Sequence, residues 1–440
     1  MPTTFRPYQP DQLLLLSPDL REWLPPGHLA HHVSDLVDAL ELSAFYAPYE
    51  GDGRRNAPYE PTMMVKVLIY AYATGVFSSR AIARKLEEDV AFRVLGAGNF
   101  PQHRTICEFR RRHLEDFERM FVEVVRVARE MGVVRFGTLS VDGTKVRANA
   151  SKRKAMSYGR MKKEETRLKE EIQRLLARAG AVDAEEDERH GEEVRGDEWP
   201  AELERREKRL AAIEQAKARL EAAQRAADDA RGRKPGQDRP PKQGRAYKRD
   251  YGEPEPKAQS NFTDPESRIM KTSTEGFQQC YNAQMVVDEA HQFIVATDVG
   301  AQASDQGQML PLLDEVSERF GVEPEVVLAD AGYCNEADLA VLEQRGIDAH
   351  IALGREGKAQ AAVDPETRPA THRMGEKLAS EQGRAQYAKR KWLSEGPNGW
   401  LKEVLGFRRF SLRGVEKVRG EWHLVCLALN IKRMRGLGAC

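Results

Sequence analysis

The chain has 440 residues, of which 40% are hydrophobic and 31% charged, and its formal net charge is zero. That length exceeds one ordinary domain and the apolar content suffices for a sizeable core. The neutral overall balance gives no argument for a nucleic-acid partner, but the local balance does: between Arg384 and Arg435 stand 13 Lys or Arg against 4 Glu and no Asp. A basic segment of this kind is the electrostatic footprint that a phosphate polymer needs. The five cysteines have no CxxC spacing, which argues against zinc and disulfide frameworks. No stretch approaches the roughly 18 apolar residues of a membrane span, and no leader is evident, so the composition predicts a cytosolic protein.

Taken in chain order, residues 1–135 read as helical. Pro61 to Gly75 has a helical apolar period with Pro near its start and Gly at its end. Ser78 or Ser79 caps a helix through Leu86, and a third helix is expected from Arg104 through Phe121. Short helices joined by Gly-containing turns, the last carrying Arg104, Arg110, Arg111 and Arg112, suit a DNA-contacting helix-turn-helix unit; the alternative is an ordinary bundle with solvated arginines.

Residues 151–259 differ in kind. Leu168, Ile172 and Leu175, then Leu203, Leu210, Ile213 and Leu220, follow coiled-coil spacing in segments rich in Glu, Lys, Arg and Ala. The expectation is a charged antiparallel helical hairpin with a flexible acidic tip, Asp183 to Asp197. A disordered or extended linker, Lys234 to Lys257, is expected to follow. From about 268 the pattern becomes α/β: strands over Gln279–Val287 and Phe293–Val299, a helix over Gly307–Phe320, a strand Val326–Asp330, a helix Glu336–Arg345 and a strand His350–Leu353. A polar loop over 354–384 and a terminal amphipathic helix, Glu421 to Arg435, complete the expectation.

Three acids stand out. Asp142 follows the apolar run Thr138–Val141, Asp330 ends Val326–Ala329, and Glu395 lies on a later helical segment. Two aspartates at strand ends and one glutamate, with no Cys or His among them, make a hard oxygen site suited to Mg²⁺ or Mn²⁺. Either aspartate alone is as readily a turn cap. Glu395 and Lys402, seven residues apart, share a face on an unbroken helix, as does Lys391, whereas Arg390 points elsewhere. Pro397 directly after Gly396 predicts a kink or restart there. The alternative for this segment is a surface helix with charge pairs four residues apart.

These blocks resemble the bacterial insertion-sequence transposases of the DDE type, in the group with a Tyr-Arg-Glu-Lys signature and its branch called insertion sequence eleven-eighty-two. The resemblance rests on Tyr59–Leu68, Ser78–Lys85, Val141–Lys152, Asp264–Lys271, Tyr281–Gln284, Leu328–Tyr333, Gly406–Gly414 and Asn430–Met434, in that order along nearly the whole chain. It implies an RNase H-like α/β catalytic domain over 136–150 and 260–440, interrupted by the helical insertion and preceded by a helical DNA-binding domain. It implies that Asp142, Asp330 and Glu395 bind two divalent ions, and that Tyr387, Arg390 and Lys402 grip phosphates of the element's ends. It also implies double-stranded DNA as partner, terminal repeats and target alike, a homodimer in the synaptic complex, and a cytoplasmic enzyme that meets the nucleoid through DNA. The usual signature has three residues between Arg and Glu. Here Arg390 has four and Lys391 has three, which leaves open which one does the arginine's work. Two other readings remain: a catalytically silent DNA-binding descendant, and a hydrolytic nuclease on the same fold.

Overall fold

The computed structural model describes residues 19–50, 57–190, 201–237, 246–272, 275–354 and 363–438. Helices come first: α1 (Leu29–Ala39), α2 (Pro61–Ala73), α3 (Ser79–Glu88), α4 (Val90–Gly96), α5 (His103–Arg112) and α6 (Leu114–Glu130). Pro61 opens α2 because the first helical position needs no N–H donor. Only Thr62 and Lys66 of that helix escape burial, so it is a core helix and not a surface one. The single helix expected over 104–121 is two helices. The chain leaves helical geometry at the buried His113, whose Nδ1 lies 2.7 Å from Asp116 Oδ2 in the first turn of α6.

Strand β1 (Thr138–Arg147) then leads out of the helical region. It is followed by β2 (Ala155–Ser157), two long helices, α7 (Tyr158–His190) and α8 (Ala201–Ala230), and β3 (Gln259–Asn261), which pairs with β2. The helices run antiparallel, joined by Glu171–Arg206 and Glu165–Lys217 ion pairs over a small apolar core of Met161, Leu168, Ile213 and Ala216. Tyr158 N donates to Ala258 O at 2.7 Å, so the insertion leaves and re-enters at one point. Of the acidic tip, residues 183–190 continue the α7 backbone and 191–197 lie outside the described residues. Where it is described, the segment expected as a linker packs on the end of α8: Arg233 pairs with Asp228 and stacks over Tyr247 at 4.0 Å, and Gly252 N donates to Asp228 Oδ2.

The remaining strands are β4 (Arg268–Thr272), β5 (Gly276–Asp288), β6 (Ile294–Gly300), β7 (Val326–Ala329) and β8 (Asp348–Ile351). The main sheet is mixed. β5 pairs antiparallel with β1, and along its other edge with β4 at one end and β6 at the other; β7 lies parallel to β1, and β8 parallel to β7. Helices α9 (Met309–Phe320) and α10 (Glu336–Gln344) precede and follow β7. The span expected as a loop over 354–384 holds a helix, α11 (Pro369–Ala379), which starts on Pro369 and buries Ala370, Thr371 and Met374; residues 355–362 of it lie outside the description. Then come α12 (Glu381–Gly399), a π-helical turn (Trp400–Val404), and α13 (Val415–Gly436).

The last helix departs from the amphipathic expectation, because every residue from Gly420 to Ile431 is buried. It lies between the helical region and the sheet, packing on α2, α6 and β6. Two of its polar side chains are bonded internally, Trp422 Nε1 donating to Gln284 O at 3.0 Å and the Asn430 side chain bonding both backbone groups of Ile294, whereas neither ring nitrogen of the buried His423 has a hydrogen-bond partner among the described residues. One apolar core therefore runs through the N-terminal helices and the sheet. Among the described residues, no helix is long and apolar enough to cross a membrane.

Candidate functional site

Parallel pairing of β1 with β7 ends at Val141 opposite Ala329, which sets Asp142 and Asp330 side by side. Asp142 is not at a strand end, as the sequence suggested. β1 continues to Arg147 because its antiparallel partner β5 continues, with Asp142 opposite Met285. Asp330 does leave its strand, and its Oδ1 accepts from Gly332 N at 2.8 Å to start the turn Ala331–Tyr333. Burial pushes the Asp142 carboxyl up to about 6; Arg390 opposes that rise, and the neighbouring Asp330 and Asp305 add to it. Two carboxylates forced together in a largely dry place are a ready seat for a cation.

Helix α12 covers this point. Arg390, Ser394 and Asn398, four residues apart, form one face toward β1. Arg390 Nη1 lies 3.9 Å from Asp142 Oδ1, Ser394 Oγ lies 2.8 Å from Ser140 Oγ, and Asn398 Nδ2 donates to Asp142 Oδ2 at 2.6 Å. The Arg390 guanidinium also sits over the Tyr387 ring at 5.8 Å. It is Arg390, then, that faces the site, and Lys391 is exposed. Lys391 would face the site if Glu395 were the inward residue, but Ser394 is inward and Glu395 is exposed. The restart expected at Pro397 as an alternative to a kink does not occur. α12 runs through Pro397, and the helix instead widens one turn later, where Leu405 N reaches Trp400 O at 2.9 Å.

That wide turn carries Lys402. Burial lowers the pKa of its ammonium, and the attraction of Asp142 opposes that shift. Lys402 lines a cleft of about 240 Å³ with Gly143, Lys145, Arg147, Lys271 and Arg408. Glu395 is not brought in with the aspartates: it is exposed on α12 and makes no hydrogen bond or ion pair among the described residues. It stands three residues before Asn398, hence beside it on the helix surface.

Asp305 was missed from the sequence. It follows β6 in a polar loop that carried no strand or helix signal. Its Oδ1 accepts from Lys145 Nζ at 3.1 Å, Asn282 Nδ2 at 2.6 Å and Gln284 Nε2 at 2.8 Å. A methyl group on Gly143 would come within 2.6 Å of that oxygen, and one on Gly332 would meet both Asp305 Oδ2 and Asp330 Oδ1. The glycine after Asp142 and the glycine two residues after Asp330 thus give Asp305 room between the two strands.

In the N-terminal region Arg104 and Arg111 are exposed, the latter paired with Glu108 at 2.8 Å. Arg110 is withdrawn from the DNA-contacting set. It is 3% exposed, and its Nη1 donates to Tyr72 Oη at 2.8 Å and Phe77 O at 2.9 Å. Tyr72 Oη donates in turn to Glu421 Oε1, and Glu421 Oε2 accepts from the backbone N–H of Ser411 and Leu412.

Among the described residues no three His, Cys, Asp or Glu side chains are gathered as a metal-holding group. Asp142 and Asp330 supply two hard oxygen donors at one point, which fits a divalent cation as part of a set. Residues 251–431 match the family model described as the transposase DDE domain, and residues 18–112 match the transposase domain DUF772. Asp142 lies between the two matched spans; Asp305, Asp330, Arg390, Glu395 and Lys402 lie within the first. No curated protein and no solved structure matches the chain.

Proposed function

We propose, for a chain that carries the DDE domain of a transposase and is an enzyme of that class, that it cuts DNA at the ends of an insertion sequence and joins the freed 3′-hydroxyls to target DNA. The observation that carries this reading is the adjacency of Asp142 and Asp330 at the end of parallel pairing, roofed by α12 and opening on the Lys402 cleft. Asp142 and Asp330 would hold divalent ions, Mg²⁺ or Mn²⁺ and two per site, with Glu395 as the third carboxylate on the rim beside Asn398. Such ions, when bound, stabilise the attacking and leaving oxygens of an in-line displacement at phosphorus.

The chain's own residues do the rest. Asn398 orients Asp142 through its amide, and Ser394 fixes α12 to β1 through Ser140. Arg390, braced by Tyr387, presents a planar pair of donors to phosphate oxygens, and Lys402 adds a point charge from the other side. Antiparallel pairing of β4, β6 and β1 with β5, followed by β7 and β8 in parallel beside β1, supports an RNase H-like catalytic unit, made of residues 136–150 and 260–440. Residues 1–135 would be the helical DNA-binding domain and 151–259 a coiled-coil insertion. A homodimer, holding two ends at once, fits this chemistry, as does membership of the insertion sequence eleven-eighty-two branch.

The test is a strand-transfer assay with labelled duplexes taken from the inverted repeats that flank the gene, Mg²⁺ and a plasmid target. The native protein is expected to give joined product. Asp330→Asn is expected to bind the ends and give neither cleavage nor joining. Cleavage without joined product by the native protein would identify a hydrolytic nuclease, and binding alone a silent descendant.

A further inference from the structure

A second, larger depression of about 1180 Å³ lies between the N-terminal helices and the edge of the catalytic region, and no carboxylate lines it. Its walls carry Arg80, Arg84 and Arg104 from α3 and α5, and Arg147, Arg408 and Arg409 from the far side. Over much of this surface arginines are paired, as Arg345 is with Asp314 and Glu323 and Arg373 with Glu343. In the groove Arg84, Arg147 and Arg408 are paired likewise, with Glu88, Glu275 and Glu403, but Arg80, Arg104 and Arg409 are exposed, with no acidic partner among the described residues. Holding unpaired like charges around one groove costs free energy, and a polyanion removes that cost.

The groove is built, not incidental. Residues 408–410 are fastened to the end of β1 by Arg147 N to Arg408 O at 3.1 Å and Phe410 N to Arg147 O at 2.9 Å. The Glu421 carboxylate holds the next two residues. On the opposite wall the N-terminus of α3 opens into the groove. Ser78 makes no capping bond there, and the buried Ser79 Oγ has no partner. The N–H groups at a helix N-terminus add to the positive potential that the arginines supply there. Arg147 and Arg408, paired with Glu275 and Glu403, also line the Lys402 cleft, so the groove adjoins the cleft that begins at Gly143, next to Asp142.

We propose that this groove binds the sugar-phosphate backbone of a DNA duplex arm whose processed end lies at Asp142. This rests on the transposase reading and extends the DNA path to Arg80, Arg409 and the α3 N-terminus. The experiment is equilibrium binding of a fluorescein-labelled duplex of mixed sequence across a salt series. It uses the full-length protein and the variants Arg80→Ala, Arg104→Ala, Arg409→Ala and their triple combination. Arg119→Ala, exposed and paired elsewhere with Asp116, is the control. All these side chains are solvent-facing, and thermal unfolding confirms that each variant folds.

Each groove variant is expected to weaken binding about three- to tenfold and to lower the salt slope by about 0.9, the triple variant by nearly three times that, with the control unchanged. Groove variants that match the control in affinity and slope would overturn the proposal. The two readings fail separately. Native protein that joins ends while groove variants bind normally removes the groove and leaves the transposase. Native protein that never cuts ends, but shows the groove effects on the mixed duplex, does the reverse.

Discussion

Arg110 and Asp142 show how differently two charged residues of one sequence are used. Arg110 is the head of a buried chain, Arg110 to Tyr72 to Glu421 to the backbone of Ser411 and Leu412. Its removal leaves the Glu421 carboxylate without nearby positive charge in the core, so Arg110→Ala is expected to destabilise the fold by about 3–5 kcal/mol in chemical denaturation. Exposed Arg104→Ala is expected to shift stability by less than about 0.5 kcal/mol. Asp142 carries the opposite sign of cost. Its folded pKa is raised to about 6, so its charge destabilises the metal-free protein at neutral pH, and the penalty is relieved as pH falls through 6 toward the ordinary carboxylate range. Asp142→Asn, measured with chelator present, is expected to raise stability by about 1–3 kcal/mol at pH 7.5 and by nearly nothing at pH 4. A constant gain across that range would show that the carboxyl's charge is not what the fold strains against.

That Asp142 and Asp330 sit on or directly after buried strands was legible because each follows a short, largely apolar run. Asp305 and Asn398 were not, since loop acids and helix amides look alike whether they face a site or water. Arg110 looked like its neighbour Arg111, and only the position of Tyr72, 38 residues earlier, tells them apart.

Among the elements, the insertion and the roof helix teach different lessons. The insertion's charge pattern announced a helix pair, and its packing rests on few apolar residues, Met161, Leu168, Ile213 and Ala216. Its two ends meet where Tyr158 N bonds Ala258 O, above the paired strands β2 and β3. Replacing residues 159–257 by a short Gly-Ser turn is therefore expected to leave a soluble core with one cooperative thermal transition. An aggregated or molten product would show that the hairpin supports the sheet. For α12 neither the inward face nor the bend was legible from residue spacing. Proline after Glu395 suggested a break, but the helix absorbs it and widens at Trp400–Val404 instead, which turns Lys402 toward Asp142. A one-residue error in the inward face exchanged Arg390 for Lys391. Helix α11 leaves little trace in the sequence because its apolar residues are few, and α13 looks one-sided there because the layers on both sides of it are far away in sequence.

At the scale of the whole molecule, α13 ties the helical region and the sheet into one core, so the groove arginines and the aspartates hold a fixed relation. On the proposed reading, that relation would hold a DNA arm on one side and deliver an end to the two carboxylates on the other. The measurement closest to the centre of this account is anomalous scattering from crystals of the protein grown with duplex ends and Mn²⁺. Manganese peaks are expected between the Asp142 and Asp330 carboxylates, with the Glu395 side chain turned in from the rim to join them and Arg390 on the adjoining phosphate. Manganese bound elsewhere, or Asp142 and Asp330 left without an ion while DNA occupies the cleft, would contradict it.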